Sequence, residues 1–216
     1  MTDGWTEQLQ VFCVDVGSIS RGKFAWARRH PGEEGDLHDP GDIRSLAAAV
    51  QRHLSAEDPV ALGFEMPLFL PVPDDVEALG KRRPVDVGAP AWSSQIGACA
   101  LATGIVQTAW LLKALRDAAP GAPLFLEWSP FSEQRFGLLL WEAFVSGKAK
   151  GASDEEDAIK GIEAFCAQLP EPDDGPGTSI QRPFSIAAAA AIWAGWDLPT
   201  QDLREAGIVV RAKEAT

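Results

Sequence analysis

Three apolar runs in this chain each end on a carboxylate. Val11-Phe12-Cys13-Val14 leads into Asp15, Val60-Ala61-Leu62-Gly63-Phe64 into Glu65, and Pro123-Leu124-Phe125-Leu126 into Glu127. The runs have the length and composition of buried strands, and Pro67 and Pro130 stop the second and third soon after the acid. A carboxylate at such a strand end must find a metal, a donor or a water-filled cleft to offset its desolvation. Ends of neighbouring central strands converge on one spot, and convergent carboxylates are how proteins hold Mg²⁺ or Mn²⁺. Metal-assisted phosphate chemistry is the first expectation.

At 216 residues and 46% hydrophobic content the chain fits one domain with a substantial core, residues 1–9 forming an N-terminal tail. The first residues lack the basic and apolar regions of a signal peptide, and the apolar stretch around residues 96–112 carries Gly, Gln and Thr and reads as a buried helix. A cytoplasmic protein without membrane association is expected. Cys13, Cys99 and Cys166 are far apart and embedded in apolar segments, so buried free thiols are predicted rather than a disulfide or zinc site. The formal charge of −12, from 19 basic and 31 acidic residues, argues against a protein that coats nucleic acid non-specifically and counts against a nuclease. Cations do cluster locally at Arg28-Arg29-His30 and Lys81-Arg82-Arg83. Solvated loop surface is the competing explanation for such clusters.

Along the chain strands and helices alternate. The first strand turns at residues 18–22 and returns through Lys23-Phe24-Ala25-Trp26-Ala27-Arg28, making a hairpin, with room for a short third strand in the Gly-rich stretch 31–41. A helix carrying Ile43, Leu46, Ala47, Val50 and Leu54 precedes the second carboxylate-ended strand. The proline-rich connection 67–90 is long for a compact domain and reads as a functional loop. Helices are expected over about 92–119, 132–145 and 184–196, and an edge strand over 207–212. Ser153-Asp154-Glu155-Glu156 forms a capping box, with Ala158, Ile162, Phe165 and Leu169 on one face behind it.

Asp15-Val16-Gly17 on a first strand that enters a hairpin, then Glu65-Met66-Pro67-Leu68, Glu127-Trp128-Ser129-Pro130 and the acidic Asp157-Ala158 helix occur in that order. The ordered set resembles the predicted RNase H-like nucleases, a domain-of-unknown-function group within the RNase H and Holliday-junction-resolvase superfamily, over residues 11–196. The resemblance implies an α/β fold with a mixed five-stranded sheet, three antiparallel strands then two parallel, flanked by helices. It implies two divalent ions, Mg²⁺ or Mn²⁺, held by Asp15 on the first strand, Glu65 on the fourth and Asp157 on a late helix, with Glu127 in the family's Glu-x-x-Pro feature. Two departures stand out. Family members often carry Asp where this chain has Glu65, and the late acids and the alanine run at residues 187–191 here lie on separate helices.

Asp15, Glu65, Glu127 and Asp157 are accordingly the expected catalytic acids, with Asp154 as a further metal ligand near the same helix edge. Each has a structural alternative: Asp15 could cap its turn, Glu65 could pair with Arg82 or Arg83, Glu127 could sit in a hydrogen-bonded site under Trp128, and the acids of residues 154–157 favour the positive end of a helix dipole. Substrate contacts are expected from Lys81, Arg82, Arg83, Lys148 and Lys150, with Trp92 and Trp128 able to stack on a base. The expected reaction is two-metal hydrolysis of a phosphodiester, the substrate being nucleic acid or a nucleotide. Two rivals remain. An RNase H-like domain without activity would serve as a partner-binding module, and a sugar-kinase or actin-like phosphotransferase would use Asp15-Val16-Gly17-Ser18 at phosphate but needs a second such loop, which is not found here.

Overall fold

The computed structural model describes residues 4–31, 37–39, 42–86, 91–173 and 182–213. Strand β1 (Gln10–Asp15) turns back into β2 (Ala25–Arg29), which pairs with β3 (Leu37–Asp39). Gly17 permits this return, because a Cβ there would stand 1.7 Å from the Lys23 carbonyl oxygen. Helix α1 (Ile43–Ser55) is capped by Asp42, whose carboxylate accepts from the Arg44 and Ser45 N–H groups. It leads into β4 (Pro59–Phe64), parallel to β1. The loop that follows holds β5 (Phe69–Pro71) and two short 3₁₀ turns before α2 (Gln95–Ala118). Then come β6 (Leu124–Phe125), α3 (Trp128–Gln134), β7 (Gly137–Phe144), α4 (Asp154–Gln168), β8 (Pro183–Ser185), α5 (Ile186–Trp193) and β9 (Ile208–Arg211).

The result is an α/β fold around a mixed sheet of order β3-β2-β1-β4-β7-β6, with β9 also paired to β7 and β5–β8 forming a separate ribbon. β1, β2 and β3 are antiparallel, whereas β4, β7, β6 and β9 run parallel to β1. Seven strands therefore replace the five expected. Two short segments share one edge of β7: β6 pairs at Leu138 and Leu139, and β9 from Trp141 to Phe144.

The largest correction concerns residues 132–145. A helix is expected there, but α3 ends at Gln134 and Gly137 opens a strand that is buried along almost its whole length. Arg135 and Gly137 both have positive φ and break the helix. Leu138-Leu139-Leu140-Trp141 then runs between two parallel neighbours, where both faces are covered and the alternation that marks a half-exposed strand disappears. The carboxylate-ended strand before Glu127 shrinks correspondingly to the two residues of β6.

Period-two alternation sorts the sheet into two cores. Phe12, Val14, Val60, Leu62, Leu138 and Leu140 face one layer, closed by α1, α2 and α5. Val11, Cys13, Ala61, Leu139, Trp141 and Ala143 face the other, where Phe131 of α3 and Ala158, Ile162 and Phe165 of α4 pack. Gly63 on β4 leaves room for the Trp141 indole, since a Cβ there would lie 2.3 Å from the ring. In the N-terminal segment Trp5 packs on Trp128 and Phe131. Cys13 is buried as expected, but Cys99 is exposed. α2 is long and apolar enough to cross a membrane by length and composition. Its C-terminal half nevertheless buries Leu111, Leu112 and Leu115 in the first core.

Candidate metal centre

The same alternation decides where the acids go. Cys13 faces α4, so Asp15, two residues on, leaves the end of β1 on that face. The ladder continues past β4, with Glu65 N–H donating to the Val14 carbonyl at 2.8 Å, and Glu65 has the same parity as Ala61. Asp157 comes to meet them from the first turn of α4, buried to 5% exposure. One carboxylate oxygen from each of Asp15, Glu65 and Asp157 lies within 4.8 Å of the others, and among the described residues no other trio of acidic, His or Cys side chains comes as close.

Each member is held by the backbone around it. Ser153 caps α4 by accepting from Glu156 N–H, while Glu156 accepts from Ala152 N–H at 2.6 Å. Asp157 accepts from Gly151 N–H at 2.6 Å and from Lys150 Nζ at 2.8 Å. Lys150 also reaches Glu65 Oε1 at 3.2 Å, but Glu65 Oε2 is buried with no hydrogen-bond partner. On the far side of the Asp15 turn, Gln107 of α2 donates to the Gly17 carbonyl at 2.6 Å.

Burial drives the electrostatics of the trio. It pushes Asp15 up to about 7, with Asp154 and Asp157 adding to the effect and Lys150 opposing it. It pushes Glu65 up to about 8, where the charge of Asp15 adds and Lys150 again opposes. Burial disfavours the Lys150 ammonium, yet its contacts with Asp157 and Glu65 outweigh that and hold the amine above its ordinary value. Burial likewise raises the Cys13 thiol, which Glu65 and Asp15 then raise further. The trio is a concentration of negative charge only partly answered by one ammonium. Its all-oxygen donor set suits a hard divalent cation, and the unpartnered Glu65 Oε2 leaves a coordination site to fill.

The other predicted residues divide. Asp154 pairs with Lys23 at 3.3 Å, close enough to influence Asp15. Glu127 does not join the trio. It precedes α3 at the N-cap position, beyond an edge strand paired to the N-terminal part of β7, and is not among the cleft residues. Trp128 beside it packs on Trp5, Phe131 and Phe165 rather than facing the cleft. Trp92 does line the cleft, its indole N–H donating to the Lys81 carbonyl at 3.1 Å. Lys81 and Arg82 are exposed on the loop before it, and Lys148 is exposed near Lys150.

Arg83 is not available to a substrate. At 1% exposure it donates five hydrogen bonds, to Asp86 and Glu142 carboxylates and to the Phe69 carbonyl, over 2.6–3.1 Å. Nor does it pair with Glu65. Burial disfavours its charge, but Glu142 and Asp86 more than compensate and hold the guanidinium above its ordinary range. Glu142 and Asp86 are the members of this network that sequence reasoning passes over. Glu142 is an acid inside an apolar run that continues through Ala143-Phe144-Val145, and reading residues 132–145 as helix hides it. Its parity with Leu138 and Leu140 sends it to the face opposite the trio.

Compared with protein families, with curated proteins and with solved structures, the chain gives no match in any of the three.

Proposed function

We propose that this protein is a metal-dependent phosphodiester hydrolase of RNase H-like architecture, with Asp15, Glu65 and Asp157 as its metal ligands. The carrying observation is that carboxylates from two adjacent parallel strands and a late helix bring oxygens within 4.8 Å of one another. The sheet order, with three antiparallel strands followed by parallel β4 and β7, supports the architecture. Mg²⁺ or Mn²⁺ bound there would activate a water and stabilise the leaving oxygen, and the resemblance implies two such ions. The chain's own part is to hold the carboxylates aligned. Gly151 N–H fixes one Asp157 oxygen, and the Gln107 bond to Gly17 fixes the turn behind Asp15. Lys150, whose ammonium stands against Glu65 and Asp157, would neutralise a substrate phosphate brought to the carboxylates. Water adds to phosphorus and gives up a proton to solvent, the ester P–O bond breaks, and the departing alkoxide takes a proton from solvent.

A second reading, an inactive partner-binding module, has one observation of its own: Lys150 already bridges two of the three carboxylates and supplies a counter-charge without any metal. Cleavage assays separate the two. The hydrolase should cut some nucleic acid or nucleotide diester in Mn²⁺, less readily in Ca²⁺, and lose this in Asp15→Asn and Glu65→Gln. Intact substrates across a broad panel at low salt would leave the module.

A further inference from the structure

Asp15 and Glu65 open on a cleft of about 660 Å³, a size typical of small-molecule sites. Asp15, Glu65 and Lys150 line one part of it, and Ile96, Ala100 and Thr103 of α2 another. Among the described residues two cationic side chains border it, Arg83 and Lys150. All five N–H donors of Arg83 are already engaged with Asp86, Glu142 and Phe69. One ammonium thus remains for phosphate. A nucleic-acid strand is held by a row of cations along its backbone, usually with several bases on aromatic platforms. Here one aromatic ring of the predicted pair, Trp92, borders the cleft, while Trp128 is occupied elsewhere. The net charge of −12 opposes a long polyanion further.

We propose that the substrate of this site is a small, nucleotide-sized phosphodiester, taken in with its single phosphate at the carboxylates and Lys150 and its organic part against the α2 wall at Ile96 and Ala100. This rests on the hydrolase reading and narrows it from polymers to small diesters. Lys150 matches one phosphate, and the apolar side chains of α2 match the desolvated organic part.

Thermal-shift and hydrolysis assays on the full chain test it, with Mn²⁺ alone, then with bis(p-nitrophenyl) phosphate, cyclic AMP, a thymidine dinucleotide or a 20-nucleotide oligothymidylate. A small diester should raise Tm beyond Mn²⁺ alone and be hydrolysed in preference to the 20-mer. Ile96→Glu, at a 72% exposed position that folding tolerates, and Ala100→Trp should each weaken that diester about tenfold or more, while the Mn²⁺ shift stays as in the native chain. A normal Mn²⁺ shift with no response to any small diester overturns the inference and leaves the metal site standing. So does a 20-mer bound or cut equally by native chain and both variants. No Mn²⁺ shift in the native chain removes the hydrolase reading itself, and this inference with it.

Discussion

Replacing Arg83 by Met is the sharpest test of how the cleft is built. The guanidinium and its two carboxylate partners are each 1% exposed, so the charges of Asp86 and Glu142 have no water to turn to when it is removed. Glu142 keeps only the Leu68 N–H, and Asp86 keeps the Arg83 backbone N–H and a long contact from Trp92 N–H at 3.4 Å. Removing one partner of a buried ion pair costs about 3–5 kcal/mol, because uncompensated charge stays in the interior. Against a total stability of about 5–15 kcal/mol that is a large fraction. At about 2–4 °C per kcal/mol for a chain of this size, Tm should fall by roughly 6–20 °C. Urea denaturation followed by tryptophan fluorescence measures the loss. Adding Glu142→Gln to Arg83→Met should cost much less than the two singles combined, since the amide still accepts from Leu68 and removes one stranded charge. An Arg83→Met variant within about 1 kcal/mol of the native chain would refute the reasoning and return Arg83 to the set of substrate contacts.

Asp15 and Glu65 keep protons up to about pH 7 and 8 in the folded chain but release them near pH 4 when unfolded. The folded state therefore binds more protons across this window, and the metal-free protein should lose stability as pH rises from about 4 to 8. Mg²⁺ or Mn²⁺ should raise Tm more at pH 8 than at pH 6, and Asp15→Asn should flatten the slope and abolish the metal response; a flat native profile, or an unchanged response in the variant, counts against the site. Glu127→Gln should leave the metal-dependent Tm shift as it is, and a lost shift would bring Glu127 back among the ligands. Gly63→Ala forces a methyl into the Trp141 ring and should cost about 1–3 kcal/mol by denaturant titration, an unchanged midpoint showing that the indole can move aside.

Asp15 and Glu65 were legible because each ends an apolar run, a pattern that survives without any knowledge of the fold. Asp157 needed the resemblance as well, since an acid in the first turn of a helix is common for dipole reasons alone. Glu127 looked equivalent to the strand-end acids, but β6 is an edge fragment two residues long, and the central position it was expected to hold belongs to β7. No periodicity in Leu138-Leu139-Leu140-Trp141 could reveal this, because a strand covered on both faces and a buried helix segment are both continuously apolar. The fate of Arg83 was hidden for another reason: its partner Glu142 is 59 residues away, and only the tertiary fold brings it to the Arg83–Asp86 turn.

The shared edge of β7 also sets an order of events during folding. The hairpin of β1 and β2 closes a short loop, and β4 joins across a single helix, so the Asp15 and Glu65 strands can associate early. β7 completes its far side only when β9 arrives, pairing Val209 with Glu142 across the whole of α4 and α5. Closing so long a loop costs entropy before any contact repays it. The carboxylate pair on β1 and β4 should thus form ahead of the pairing of β7 with β9. Folding intermediates of this protein would be expected to expose the acidic strand ends to solvent, where ions can reach them before the cleft is finished.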